Sequence, residues 1–290
     1  MLPREFEYLA PTTLEEAVSL LREHGDDAKL LAGGQSLVPI MKLRLAEPRW
    51  LIDLGRVQEM AYIKEDGGAI AVGAMTTHQM LEASDLLKAK LPLLPETAAQ
   101  IADVQVRNRG TIGGSLAHAD PAADLAAAVL GLGAEIKVTG PNGHRVIGAD
   151  GFFQGVFTTA LAENEIVTEV RFPSAAARTG SAYVKMPNPA SHFAIVGVAA
   201  VVTMGGDGRC EAARIAVSGV AMTPFRAKAA EAALVGSAGD DAAITAAAAQ
   251  AAAGVEALSD VHASAEFRLH LTKVYANRAL QLARSRAGTA

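Results

Sequence analysis

Two pairs of adjacent glycines with neighbouring hydroxyl side chains carry the clearest chemical signal in this sequence. They are Ala32-Gly33-Gly34-Gln35-Ser36 and Thr111-Ile112-Gly113-Gly114-Ser115. Adjacent glycines let a backbone approach a ligand closely and take positive φ. Successive free N–H groups then form a concavity for an anion, most often phosphate. Ser36, Thr111 and Ser115 add hydroxyl donors, so a diphosphate spanning both segments could be held without a lysine. In a chain with 27 glycines, the same pairs also read as ordinary turns. The residues alone leave both readings open.

Other chemistries find little support. There is no G-x-G-x-x-G between a strand and a helix and no G-x-x-x-x-G-K-[ST], which disfavours a nicotinamide-binding Rossmann domain. Gly131-Leu132-Gly133 follows a helical run and reads as its C-cap. The seven histidines are scattered, none in H-E-x-x-H, and no G-x-S-x-G elbow occurs. His118 is the most notable, just after the second glycine pair. Arg107 and Arg109 could contact phosphates or be solvated. Asp124 sits in a first helical turn, where it favours the helix dipole. The single cysteine, Cys210, reads as structural and excludes a cysteine-ligated iron–sulfur cluster within the chain. No acid, base, nucleophile or metal ligand is assigned.

The elements that must position these residues follow from pattern. At 290 residues, half of them hydrophobic and 20% charged, the chain fits about two domains with sizeable cores. A net charge of -5 does not favour nucleic acid. With no apparent signal peptide or membrane-length apolar run, a soluble, cytoplasmic protein is expected. Thr12 and Thr13 ahead of Glu15 and Glu16 give capping-box spacing for a helix ending at Gly25. Lys29–Ala32 and Trp50–Leu54 read as strands, making the first 55 residues a small α/β unit. Strands near 61–64 and 69–72 follow, then helices near 77–83 and 96–102. The second glycine pair is expected before a helix that begins at Asp120-Pro121 and stops at Gly131. A hairpin turns at Pro141-Asn142-Gly143, and Ile166–Phe172 is a strand. Ser174–Gly180 reads as a linker. Three strand-like runs then precede three helices near 224–235, 241–257 and 264–284, which suggests a sheet covered by helices. The last helix is expected to bury Phe267, Leu271, Val274 and Leu280 and to expose Arg268, Lys273, Arg278 and Arg284.

The stretches Ala32–Ala46 (A-G-G-Q-S-L-V-P-I-M-K-L-R-L-A) and Thr111–Asp124 (T-I-G-G-S-L-A-H-A-D-P-A-A-D) resemble the FAD-binding medium subunit of molybdenum hydroxylases. This is the family of carbon monoxide dehydrogenase medium subunits and xanthine dehydrogenase flavin domains. The likeness continues through Glu165–Val170 and Tyr183–Lys185 and covers essentially the whole chain. It implies an α+β fold: a vanillyl-alcohol-oxidase (PCMH) type FAD-binding domain of two α/β subdomains, then a domain of a β-sheet plus three helices. The corresponding bounds are 1–175, divided at about 55, and 181–287.

The resemblance implies that Ala32, Gly33, Gly34, Gln35 and Ser36, with Thr111, Ile112, Gly113, Gly114 and Ser115, wrap the FAD diphosphate. Leu30, Leu31 and Leu37 would flank the first loop. Ile101, Asp124, Val167 and Lys185 match further FAD-contacting positions. Ser115 replaces a common asparagine, and Pro187–Phe193 departs from the family after Lys185. The family role is electron transfer. A large molybdenum-cofactor subunit oxidises substrate, two [2Fe–2S] clusters of a small subunit relay electrons to FAD here, and an external acceptor takes them. A dimer of such three-subunit units (a heterohexamer) is the implied assembly, with no nucleic acid and no transmembrane segment. The alternatives are a stand-alone flavin oxidoreductase of the same fold and a scaffold subunit that has lost flavin.

Overall fold

A computed structural model describes residues 2–288. The capping signal produces the helix Leu14–His24. Thr13 Oγ1 accepts from the Glu16 N–H at 3.2 Å, and the Glu16 carboxylate accepts from the Thr12 N–H at 2.8 Å. Gly25 ends the helix with φ 50°. This helix packs on a parallel sheet ordered Glu7–Leu9, Trp50–Asp53, Ala28–Leu31.

Next comes an antiparallel five-stranded sheet, ordered Ile63–Asp66, Ala69–Gly73, Ile166–Pro173, Glu135–Gly140, Gly143–Gly148. A bulge interrupts the pairing between Val167 and Glu169. One core joins both sheets and the helix Asp124–Leu132.

The remaining strands, Thr179–Pro187, Ala194–Met204, Cys210–Ser218 and Phe225–Arg226, form a third, antiparallel sheet in chain order. The helices Lys228–Leu234, Asp241–Ala249 and Ala265–Ala287 belong with its second core. The helix Asp124–Leu132 packs on this sheet too. Along Ala194–Met204, Val198, Ala200 and Val202 join the second core while Ala199 joins the first. Burial on both faces explains the unbroken apolar run. Among the described residues, no helix is long and apolar enough to cross a membrane.

Five expectations need correction. Asp120 does not cap the helix at Asp124. It closes a local turn, with Oδ1 accepting from the Ala122 N–H at 2.8 Å. That helix runs past Gly131, which fits closely against Ala199, and ends at Gly133 with φ 65°. The linker is shorter than Ser174–Gly180, because Thr179 and Gly180 are already in a strand. A Cβ at Gly180 would run into the Ala283 carbonyl oxygen, so glycine is what lets the last helix lie on the sheet. On that helix Phe267 is exposed and Arg268 is buried. Arg268 donates to the Ile195 and Gly219 carbonyls and to Asp260. The helix Glu96–Ala102 is instead Leu93–Ala99, with Pro92 at its N-cap and Pro95 in the first turn, where a missing N–H costs nothing.

Candidate functional site

The fold brings the two glycine segments side by side. The first leaves the parallel sheet at Leu31 and enters the helix Leu37–Lys42. Gly34 takes φ 74°, a left-handed turn that glycine makes at no steric cost. A Cβ at Gly33 would run into the Arg109 carbonyl oxygen and lie 2.7 Å from Gly110 Cα. A Cβ at Gly114 would lie 3.4 Å from Ala32 Cβ. Among the described residues, no acceptor meets the backbone N–H groups of Gly33, Gly34, Gln35, Ser36 or Leu37. Five consecutive donors without partners, in a half-buried turn, are what an anionic group requires. A diphosphate fits this segment.

The second segment contributes differently than expected. It does not precede a helix but is one, Ile112–His118, with Thr111 as N-cap. Its N–H groups are engaged: Ile112 with the Thr76 carbonyl at 3.0 Å, Gly113 with Ala74 at 2.9 Å, Gly114 with Thr111 Oγ1 at 3.1 Å. The glycines here serve close packing. A Cβ at Gly113 would lie 2.5 Å from Ala74 Cβ. Gly114 and Ser115 remain half-buried at the surface facing Ala32. The Ala74 N–H bonds the Thr168 carbonyl at 3.0 Å, which ties this helix to the bulged strand carrying Val167. Val167 is buried, and Ile101, Leu30, Leu31 and Leu37 are half-buried.

Asp124 and Lys185 meet in a buried polar cluster between the first domain and the third sheet. Lys185 Nζ donates to Asp124 Oδ1 at 2.9 Å, the Gln100 carbonyl at 2.6 Å and the His192 carbonyl at 2.8 Å. Both side chains are 4% exposed. Tyr183 donates its O–H to the same Asp124 oxygen at 2.5 Å. All three ammonium protons are used by the chain itself, so Lys185 offers no free charge to a ligand. Burial pushes the Asp124 carboxyl up against the opposing pull of Lys185 and Tyr183. Burial, then Asp124, holds the Tyr183 phenol well above its ordinary value. Tyr183 and Gln100 were not singled out by sequence chemistry. The contacts that bring them into the cluster span 59 or more positions in the chain.

His78 opens the helix His78–Ala83 beside Gly110, and its N–H donates to the Gly110 carbonyl at 2.9 Å. Its Nδ1 is buried without a partner among the described residues. Burial, then the Arg107 charge, lowers its pKa to about 4 from an ordinary 6.5. The folded state therefore excludes a proton that the unfolded chain binds. This contribution to stability is complete above pH 6.5 and is lost as pH falls toward 4. His78→Gln should flatten the stability difference between pH 7.5 and 4.5 by about 2 kcal/mol. Urea titrations at the two pH values measure this, and an unchanged difference would count against a buried neutral imidazole.

Residues 4–175 match the FAD binding domain in molybdopterin dehydrogenase, and residues 181–283 match the CO dehydrogenase flavoprotein C-terminal domain. The chain is 43% identical to the carbon monoxide dehydrogenase medium chain of Hydrogenophaga pseudoflava, covering 99% of both. It is 39% identical to the 6-hydroxypseudooxynicotine dehydrogenase complex subunit alpha of Paenarthrobacter nicotinovorans, covering 99% of this chain and 97% of that one. Among solved structures, a chain of carbon monoxide dehydrogenase from Hydrogenophaga pseudoflava that lacks the Mo-pyranopterin moiety superposes with a TM-score of 0.96. The two share 46% identity over 99% of each chain.

Proposed function

The chain belongs to the carbon monoxide dehydrogenase medium (FAD-binding) subunit family of molybdenum hydroxylases, and from that premise we propose that it is the electron-transfer subunit of a three-subunit complex. Ala32–Ser36 bind the FAD diphosphate through backbone N–H groups, and Thr111–Ser115 close the cradle from the other side. Leu30, Leu31, Leu37, Ile101, Val167, Asp124 and Lys185 surround the rest of the cofactor. The bound flavin supplies the redox chemistry. The chain's own residues bind and orient it and hold no acid or base for substrate.

The observation that carries this reading is the run of five unpartnered N–H groups that starts at Gly33, where the chain lies against Arg109 and Gly110. Electrons arrive from two [2Fe–2S] clusters of a small partner and leave to an external acceptor. A single cysteine fits that division of labour. Substrate oxidation belongs to a large molybdenum-cofactor partner. Relatives named for carbon monoxide and for 6-hydroxypseudooxynicotine share this chain's full length, so selectivity resides outside it.

Anaerobic rapid mixing of the native complex with reductant tests the path. Bleaching of the iron–sulfur absorbance together with the flavin band is the expected result. Turnover of a small substrate by the isolated chain would instead favour a stand-alone flavoenzyme.

A further inference from the structure

We infer that Arg107 is a positioning residue of the cofactor site, cross-tying the segment from Ile101 to Gly110 so that its two ends hold opposite parts of the bound group. The inference rests on the FAD reading above. At one end of the segment, Ile101 packs on the first core and is among the residues proposed above to surround the cofactor. At the other, Arg109 and Gly110 lie against Gly33 in the diphosphate cradle. Only a single-turn helix, Val104–Arg107, stands between them. A helix that short has no stability of its own, so something else must fix the span.

The Arg107 side chain turns back over that helix and supplies the tie. Nη1 donates to the Ile101 carbonyl at 3.0 Å and to the Ala102 carbonyl at 3.4 Å. Nε donates to Glu82 Oε2 at 2.9 Å. The guanidinium side chain is 13% exposed, which strengthens these bonds. Ala102 has φ 41°, a left-handed conformation that a residue with a Cβ takes only when its surroundings impose it. Arg107 holds both carbonyls of that turn. Glu82 lies on the helix His78–Ala83, whose first N–H secures the Gly110 carbonyl. One fork thus links the Ile101 turn to the helix that also anchors Gly110.

A lysine keeps the charge but cannot reproduce a planar fork reaching two carbonyls and a carboxylate. The test uses Arg107→Lys and Arg107→Met in the purified complex, with Glu82→Gln as a milder variant. FAD is removed and titrated back. Affinity, the visible circular dichroism of bound flavin and the melting curve are recorded. Arg107→Lys should bind FAD about tenfold or more weakly and change the flavin dichroism, while melting close to wild type. Glu82→Gln should move both signals the same way by less. Wild-type affinity and dichroism in both Arg107 variants would overturn the inference. So would flavin loss that only parallels global unfolding in Arg107→Lys, since that marks a purely structural arginine. A wild-type complex that takes up no FAD would overturn the functional reading itself, independently of Arg107.

Discussion

Gly33→Ala should strip flavin from the complex while leaving most of the fold in place. The added methyl points at backbone, the Arg109 carbonyl and Gly110 Cα at 2.7 Å. Backbone cannot rotate aside as a flexible side chain would, so the two glycine segments must separate. Overpacking of this kind costs about 1–3 kcal/mol in stability. Binding falls as well, because the segment carrying the five unpartnered N–H groups is pushed away from Arg109 and Gly110. About 3 kcal/mol lost at the cradle is roughly a hundredfold in affinity. Gly148→Ala is the matched control, since nothing lies within 4 Å of a Cβ there. Flavin content per chain, read from absorbance of the purified complex, should collapse in the first variant and stay normal in the second. Normal flavin in Gly33→Ala would mean that the cradle is wrongly assigned.

Lys185→Met should be among the most destabilising single changes in the molecule. It leaves the Asp124 carboxylate buried at 4% exposure with no opposite charge beside it, held only by the Tyr183 hydroxyl and a backbone N–H. Breaking a buried pair by removing one partner costs about 3–5 kcal/mol. It also frees the Gln100 and His192 carbonyls, which anchor the first domain and the 188–193 loop to the third sheet. Adding Asp124→Asn should recover a good part of the loss, because the uncompensated charge is gone. Urea denaturation of the wild type and the two variants decides this. A Lys185→Met chain within 1 kcal/mol of wild type would show that the pair is solvated and holds nothing.

Much of this architecture was legible in sequence because the signals were local. The Thr13 cap with Glu16, the strands at Ala28–Leu31 and Trp50–Asp53, and the three-helix ending all follow from patterns within a few residues. The resemblance supplied the fold type that the domain matches and structural superposition show. What stayed hidden depends on distant partners. Arg268 reads as a surface charge until carbonyls 73 and 49 positions away are brought to it. The helix at Ile112 opens on two glycines, poor helix formers, and is fixed by Ala74 and Thr76 rather than by propensity. For the same reason the expected symmetry of two anion-binding loops resolves into one donor-rich turn and one close-packed helix. Arg107, open between phosphate contact and solvent in the sequence, is neither: its charge is spent on Glu82 and two carbonyls.

In the proposed site, FAD is held through the turn at Gly33–Leu37. The most direct measurement is the FAD-to-chain ratio of the native complex, by extraction and absorbance against protein concentration. A ratio of one FAD per chain is the predicted result. A fully assembled complex whose medium chain carries no flavin would contradict it, and would leave the unpartnered N–H groups as an ordinary solvated turn.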